Sequence, residues 1–221
     1  MKRIEKPESL KVAARGEIKK LLITGQWERG VLYSANTFAD RLGVSRTPVR
    51  EALLELSAEG YLVAQDGKGF RIKELSEKEV RDFFETRRMI ELYVIERVAA
   101  HLTIAETDEL RTHQQRMRAS FTIDDKVAFL DADKAFHLHL IHCHQNRHLT
   151  SVMNNIRDLI SILGHEAIIC EGRSERVLAE HQAVIDAIER RDAAQAVAAM
   201  RAHLEITENF LVAQIRSFVG E

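Results

Sequence analysis

The stretch DADKAFHLHLIHCHQNRH, residues 131–148, holds five histidines: His137, His139, His142, His144 and His148. All ten histidines of the chain lie after residue 100. Imidazole ligates borderline divalent metals, often beside a carboxylate. The question is therefore which of these side chains share a face. Successive residues on a helix rotate by about 100°. Asp133 and His137, four apart, project together. His139 lies on the opposite side, and His142 points well away. His144 returns to the His137 face two turns on, roughly 10 Å along the axis. His148 falls past the expected helix end.

The remaining ligands must come from other helices. His181 sits among Val177, Leu178, Val184, Ile185 and Ile188, and His203 among Ala199, Met200, Ile206 and Phe210. Both are expected on core-facing stripes. Each lies eleven residues from Asp192, in the join RRDAA, so an antiparallel hairpin turning there sets them at one height. Asp133, His137, His181 and His203 then make a three-histidine, one-carboxylate set suited to Zn²⁺, Ni²⁺, Mn²⁺ or Fe²⁺. The competing reading of a histidine on an apolar face is a core residue with a hydrogen-bond partner. The mirrored placement and the separate D-x-x-x-H favour the metal.

A metal with open positions suits a carboxylate ligand, and Arg87 offers a second anchor. It lies among Phe83, Phe84, Ile90 and Val94 on an apolar face, where a buried guanidinium needs a partner. Either Glu91, one turn on, pairs with it, or a small organic acid is held between Arg87 and the metal. Asn154, Asn155 and Arg157 are further effector-binding candidates.

A second constellation lies near the front. In VSRTPVREALLELSAEG, residues 44–60, Ser45 is a good N-cap and Pro48 falls in the first turn, where its missing N–H is harmless. Arg46 and Arg50 share one helix edge, and their guanidinium forks suit guanine O6/N7 or phosphate. Thr47 suits a phosphate or a thymine methyl. In the following DGKG, Gly67 allows close backbone approach to a duplex and Lys68 suits a phosphate. The bland alternative pairs Arg46 and Arg50 with Glu51 and Glu55. It does not explain cations in a helix's first turn, where the dipole disfavours them.

These groups need elements to hold them. Of the 221 residues 45% are hydrophobic and only 6% aromatic, with two prolines and ten glycines. That composition favours long helices and a real core. No apolar run approaches the roughly 18–20 residues of a membrane span, and the basic N-terminus lacks a signal-peptide core. Cys143 and Cys170 are isolated, which fits a reduced, cytoplasmic setting. Residues 1–75 carry a net +4 and the remainder −6, so the front half suits a polyanion.

The front pattern reads helix 10–23, short helix in SANTFADRLG with Phe38 and Leu42 inward, helix from Ser45, then strands YLVAQ and FRI around DGKG. This is a winged helix-turn-helix, residues 1–74. Ser76 and Glu79 form a capping box. From there residues 75–221 read as six helices, approximately 76–101, 106–121, 124–144, 147–169, 174–190 and 193–218, in an antiparallel bundle. The fold class is mainly α with a small β-hairpin wing.

LGVSRTPVREALLELSAEGYLV closely resembles the DNA-binding domain of the GntR family of bacterial transcription regulators. The resemblance implies DNA contacts by Arg46, Thr47, Arg50 and Gly67. Asn36 stands where some members carry a DNA-contacting arginine. The back half resembles the all-helical ligand-binding (FCD) domain of the FadR-type branch. Many members of that branch bind a metal through Asp-x-x-x-His and two later histidines, matched here by Asp133, His137, His181 and His203. In the resembling family an arginine at the position of Arg87 often faces the effector. The expected function is a homodimeric, metabolite-responsive regulator binding a double-stranded operator. Two alternatives stand beside it. One is a metalloenzyme fused to a DNA-binding module, which lacks a residue spaced as general base. The other is a sensor of the metal itself.

Overall fold

In a computed structural model of the chain, the structure describes residues 9–163 and 172–219. Cys170 and the end of the expected 147–169 helix lie outside the described residues. The chain divides into two compact units between Glu74 and Leu75.

In the first unit, α1 (Leu10–Ile23), α2 (Ala35–Leu42) and α3 (Arg46–Ala58) precede strands β1 (Leu62–Gln65) and β2 (Gly69–Ile72). Ser9 caps α1 by accepting from the Val12 N–H, and Ser34 caps α2 by accepting from Thr37. Gly43 ends α2 at φ 64°, a left-handed conformation that glycine adopts without strain. Buried Ala14, Ile18, Leu22, Phe38, Val49, Leu53 and Leu56 form the core. One expected core member differs: Leu42 is only half-buried, while Ala39 takes the inward position. The strands pair antiparallel, Leu62 with Ile72 and Gln65 with Gly69. Tyr33 adds a bridge to Phe70 with both hydrogen bonds at 2.9 Å, and its ring joins Trp27 and Phe38.

The second unit contains α4 (Glu77–Val98), α5 (Ile104–Thr122), α6 (Lys126–Cys143), α7 (Arg147–Leu163), α8 (Arg173–Glu189) and α9 (Ala193–Val219). Capping boxes open α4 at Ser76/Glu79 and α5 at Thr103/Glu106. Helices α4, α9, α8, α5 and α6 pack each against the next, and α6 returns to α4, with α7 against α6 and α4. The α8–α9 join turns at Arg191, φ 59°, where Asp192 caps α9 by accepting from Gln195. On α4 the buried face runs through Val80, Phe84, Arg87, Glu91, Val94, Ile95 and Val98. Phe83 and Ile90 are half-buried. No helix among the described residues is long and apolar enough to cross a membrane.

Candidate functional site

Inside the closed circuit of helices, Asp133 and His137 from α6, His181 from α8 and His203 from α9 converge. All four are buried, and one donor atom from each lies within 4.8 Å of the others. The rings of His181 and His203 are 4.6 Å apart between centroids, and each is 5.1 Å from His137. Asp133 Oδ1 is 3.5 Å from His181 Nε2 and 3.9 Å from His137 Nε2. The i, i+4 spacing on α6 and the hairpin of α8 and α9 position all four.

Two of the imidazoles are held from behind by carboxylates. The His137 Nδ1–H donates to Glu91 Oε2 at 2.5 Å, and the His203 Nδ1–H donates to Glu180 Oε2 at 2.7 Å. Each contact leaves Nε2 as the lone-pair nitrogen. The carboxylates are anchored in turn. Arg87 Nε donates to Glu91 Oε1 at 2.6 Å. Arg173 binds both oxygens of Glu180 at 2.7 and 2.9 Å and reaches Thr207. Arg157 pairs with Asp133. Glu180 and Arg173 escaped the sequence reading, because only the folded α8 and α9 show that they back His203.

The electrostatics keep this group in ligating form. Burial pushes the His137 imidazole down to about 4, with Glu91 opposing and Arg157 assisting. Burial, then His203, holds His181 well below its ordinary value. Burial alone would raise the Asp133 carboxyl, but Arg157 and the three imidazoles hold it well below the usual carboxylate range. The result is neutral imidazoles at His137 and His181 beside an ionised Asp133. Both ring nitrogens of His181 are buried without a hydrogen-bond partner among the described residues. A buried polar atom left unpaired costs about 1–3 kcal/mol. The hydrogen-bonded-core reading thus fails for His181, and the donor set fits a borderline divalent metal.

Arg87 is buried on Glu91, and its Nη2 lies 3.4 Å from both His137 ring nitrogens. Arg157 is likewise buried. Asn155 is exposed and does not line the centre. Two residues of helix rotate it about 200° from Arg157. Asn154 is half-buried and donates to the Thr150 carbonyl. The cavity bounded by Arg87, Asp133, Arg157, His203 and Thr207 measures only about 20 Å³. His139 points away, its Nε2 donating to the Glu106 carbonyl at 2.8 Å. Ile206, expected beside His203, is exposed, and Thr207 takes the inward position.

In the first unit Ser45, Arg46, Thr47 and Arg50 are all exposed at the start of α3, and Ser45 makes no side-chain capping bond. Glu55 pairs with Lys11 at 2.7 Å instead of with Arg50. Gly67 and Lys68 are exposed at the hairpin tip. Gly67 has φ 69° and open space around its Cα. Gly69 differs, because a Cβ there would lie 2.5 Å from the Tyr33 carbonyl oxygen.

Residues 10–72 match the family described as bacterial regulatory proteins, gntR family, and residues 82–206 match the FCD domain. The LutR transcriptional regulator of Bacillus subtilis is 30% identical over 200 residues, covering 81% of this chain and 90% of the relative. The gluconate operon transcriptional repressor of Bacillus licheniformis is 29% identical, covering 80% and 74%. The solved structure of E. coli McbR/YncC superposes with a TM-score of 0.81 at 19% identity, covering 94% of this chain and 99% of that one, a likeness of fold. The relatives are named as regulators and repressors, and the protein is a transcription regulator, not an enzyme. The chain belongs to the GntR family of bacterial regulatory proteins and carries a helical FCD domain behind its winged helix-turn-helix.

Proposed function

We propose that the protein is a homodimeric, metabolite-responsive regulator whose helical unit holds one divalent ion on Asp133, His137, His181 and His203. The observation that carries this reading is the doubly unpartnered, buried His181 between Asp133 and His203. Zn²⁺, Ni²⁺, Mn²⁺ and Fe²⁺ all suit the donors. When bound, the metal supplies a Lewis-acidic position for a ligand oxygen.

The effector class follows from charge. Arg87, Arg157 and Arg173 face Glu91, Asp133 and Glu180, so three cations balance three anions in the buried shell. A divalent ion raises that shell to a net +2, and buried charge calls for a partner. A small organic acid, held by Arg87 or Arg157, meets the need. A relative named for the gluconate operon is in keeping with such an acid. The 20 Å³ cavity holds a water, not an acid. Entry of the acid therefore requires Arg157 to leave Asp133, or Arg87 to leave Glu91. The first change parts α7 from α6, and the second alters how α4 meets His137 of α6; such a differential contact is what a ligand needs to shift a conformational equilibrium.

On the DNA side, Ser45, Arg46, Thr47 and Arg50 enter the major groove, while Gly67 and Lys68 meet the backbone. A two-fold dimer then reads a symmetric operator. The small cavity also favours a second reading, in which the ion itself is the signal.

Native mass spectrometry of the full chain, with and without chelation, reports metal, co-purified acid and oligomeric state together. Loss of one ion per chain in His181→Ala relative to wild type supports the reading, while wild type and His181→Ala that carry the same number of ions after exposure to Zn²⁺ overturn it. Operator affinity measured with Zn²⁺ varied at saturating organic acid separates the two signals. Affinity that still tracks the metal assigns the signal to the ion.

A further inference from the structure

A second group of donors lies outside that centre, on the outer contact of α5 with α6. Glu109 and His113, four apart on α5, face His139 on α6. One donor atom from each lies within 4.8 Å of the others. Glu109 Oε2 is 3.7 Å from His139 Nδ1, and Glu109 Oε1 is 4.0 Å from His113 Nε2. Neither distance is a hydrogen bond. The His139 tautomer is set from the far side. Its Nε2–H donates to the Glu106 carbonyl at 2.8 Å, which leaves Nδ1 with its lone pair toward the Glu109 carboxylate. A lone pair facing an anion is repulsive unless a proton or a metal cation stands between them. His113 adds a second imidazole 5.9 Å from the His139 ring, and its Nδ1 is buried without a partner among the described residues.

We infer that Glu109, His113 and His139 form a second, peripheral binding site for a borderline divalent cation such as Zn²⁺. Donors around a tetrahedral zinc at about 2.0–2.1 Å stand about 3.3 Å apart. The exposed Glu109 side chain and modest ring rotations close the difference. Two imidazoles select zinc and its neighbours over magnesium or calcium. Cys143 is close, with Sγ 3.6 Å from His139 Nε2. That nitrogen is engaged with the Glu106 carbonyl, and Cys143 is not among the converging donors, so water rather than sulfur completes the shell. The outer site is half open to solvent, and an ion there ties α5 to α6, the helix that carries Asp133 and His137.

Zn²⁺ titration of dialysed full-length protein, in a buffer with a moderate-affinity competing chelator, tests this by ion count. Wild type takes two ions per chain. His113→Gln and Glu109→Ala each take one, as does His203→Ala, and the His113→Gln/His203→Ala double variant takes none. Glu109→Ala alters an exposed side chain and keeps the test sound if His113→Gln perturbs folding, which circular dichroism reports. If both outer variants keep the wild-type count, the inference is overturned. It is equally overturned if wild type takes a single ion that His203→Ala removes. A single ion removed by Glu109→Ala but kept by His203→Ala upholds the outer site and overturns the inner one.

Discussion

Glu180 touches His203 on the side away from the four-donor centre. A carboxylate so placed fixes ring orientation and raises ligand basicity, and its loss typically weakens metal binding about 10–100-fold. Glu180→Gln is expected to fall in that range by competitive Zn²⁺ titration while leaving the stoichiometry of the inner centre intact. A loss smaller than threefold, roughly, means the contact is idle. Arg46 and Arg50 act at the same scale. If either forks onto a guanine, its alanine variant loses about 1–3 kcal/mol on a selected duplex and relaxes preference at one base pair. Lys68→Ala instead weakens all duplexes alike and flattens the salt slope by about one. An Arg46→Ala/Arg50→Ala protein that binds the duplex as wild type does removes the DNA assignment. What was legible here was local. Asp133 and His137 follow from helix rotation, and His181 and His203 from their symmetry about Asp192. Glu180, Arg173 and the His113–His139 contact depend on which helices become neighbours, and spacing within a helix holds no record of that.

Elements were legible where their ends carry chemistry. Ser34 with Gly43 bounds α2, and the S-x-x-E box opens α4. The Tyr33 bridge to Phe70 left no sequence signal, since a lone paired residue has no period. That bridge makes Gly69 indispensable. With φ at 128° and the Tyr33 oxygen at the place of a Cβ, Gly69→Ala is expected to destabilise the wing by about 1–3 kcal/mol. Proteolysis at the hairpin and duplex affinity are the readouts, and resistance equal to wild type contradicts the expectation. The two ends of the second unit are joined by an ion pair. Arg216 of α9 binds both oxygens of Glu77 at 2.8 Å. Arg216, then Arg81, holds the Glu77 carboxyl down to about 2. A carboxyl lowered in the folded state contributes stability above its unfolded value, about 4.3, and loses it as pH falls toward 2. The melting temperatures of wild type and Glu77→Gln should therefore differ at pH 6 and converge by pH 2. The pair is exposed, so salt should shrink the difference. A difference that persists at pH 2 would rule out the charge as its source.

Across the whole molecule, residues 131–148 suggested a crowd of histidines, while the inner centre draws Asp133 and His203 together across 70 residues of chain, from 133 to 203. The three helices that supply its donors lie at separate points of the sequence, and none holds more than two of them. No segment of the unfolded chain offers a preformed site, so a metal has full purchase only after α6, α8 and α9 have docked. Interactions that form after the folding barrier leave the forward rate nearly untouched and slow the reverse one. In stopped-flow circular dichroism, saturating Zn²⁺ should retard unfolding of the helical unit and change its refolding rate little. Equal acceleration of refolding would mean that the donors meet before the barrier. If the metal acts late, it governs how long a folded molecule lasts once made, not how quickly it is made.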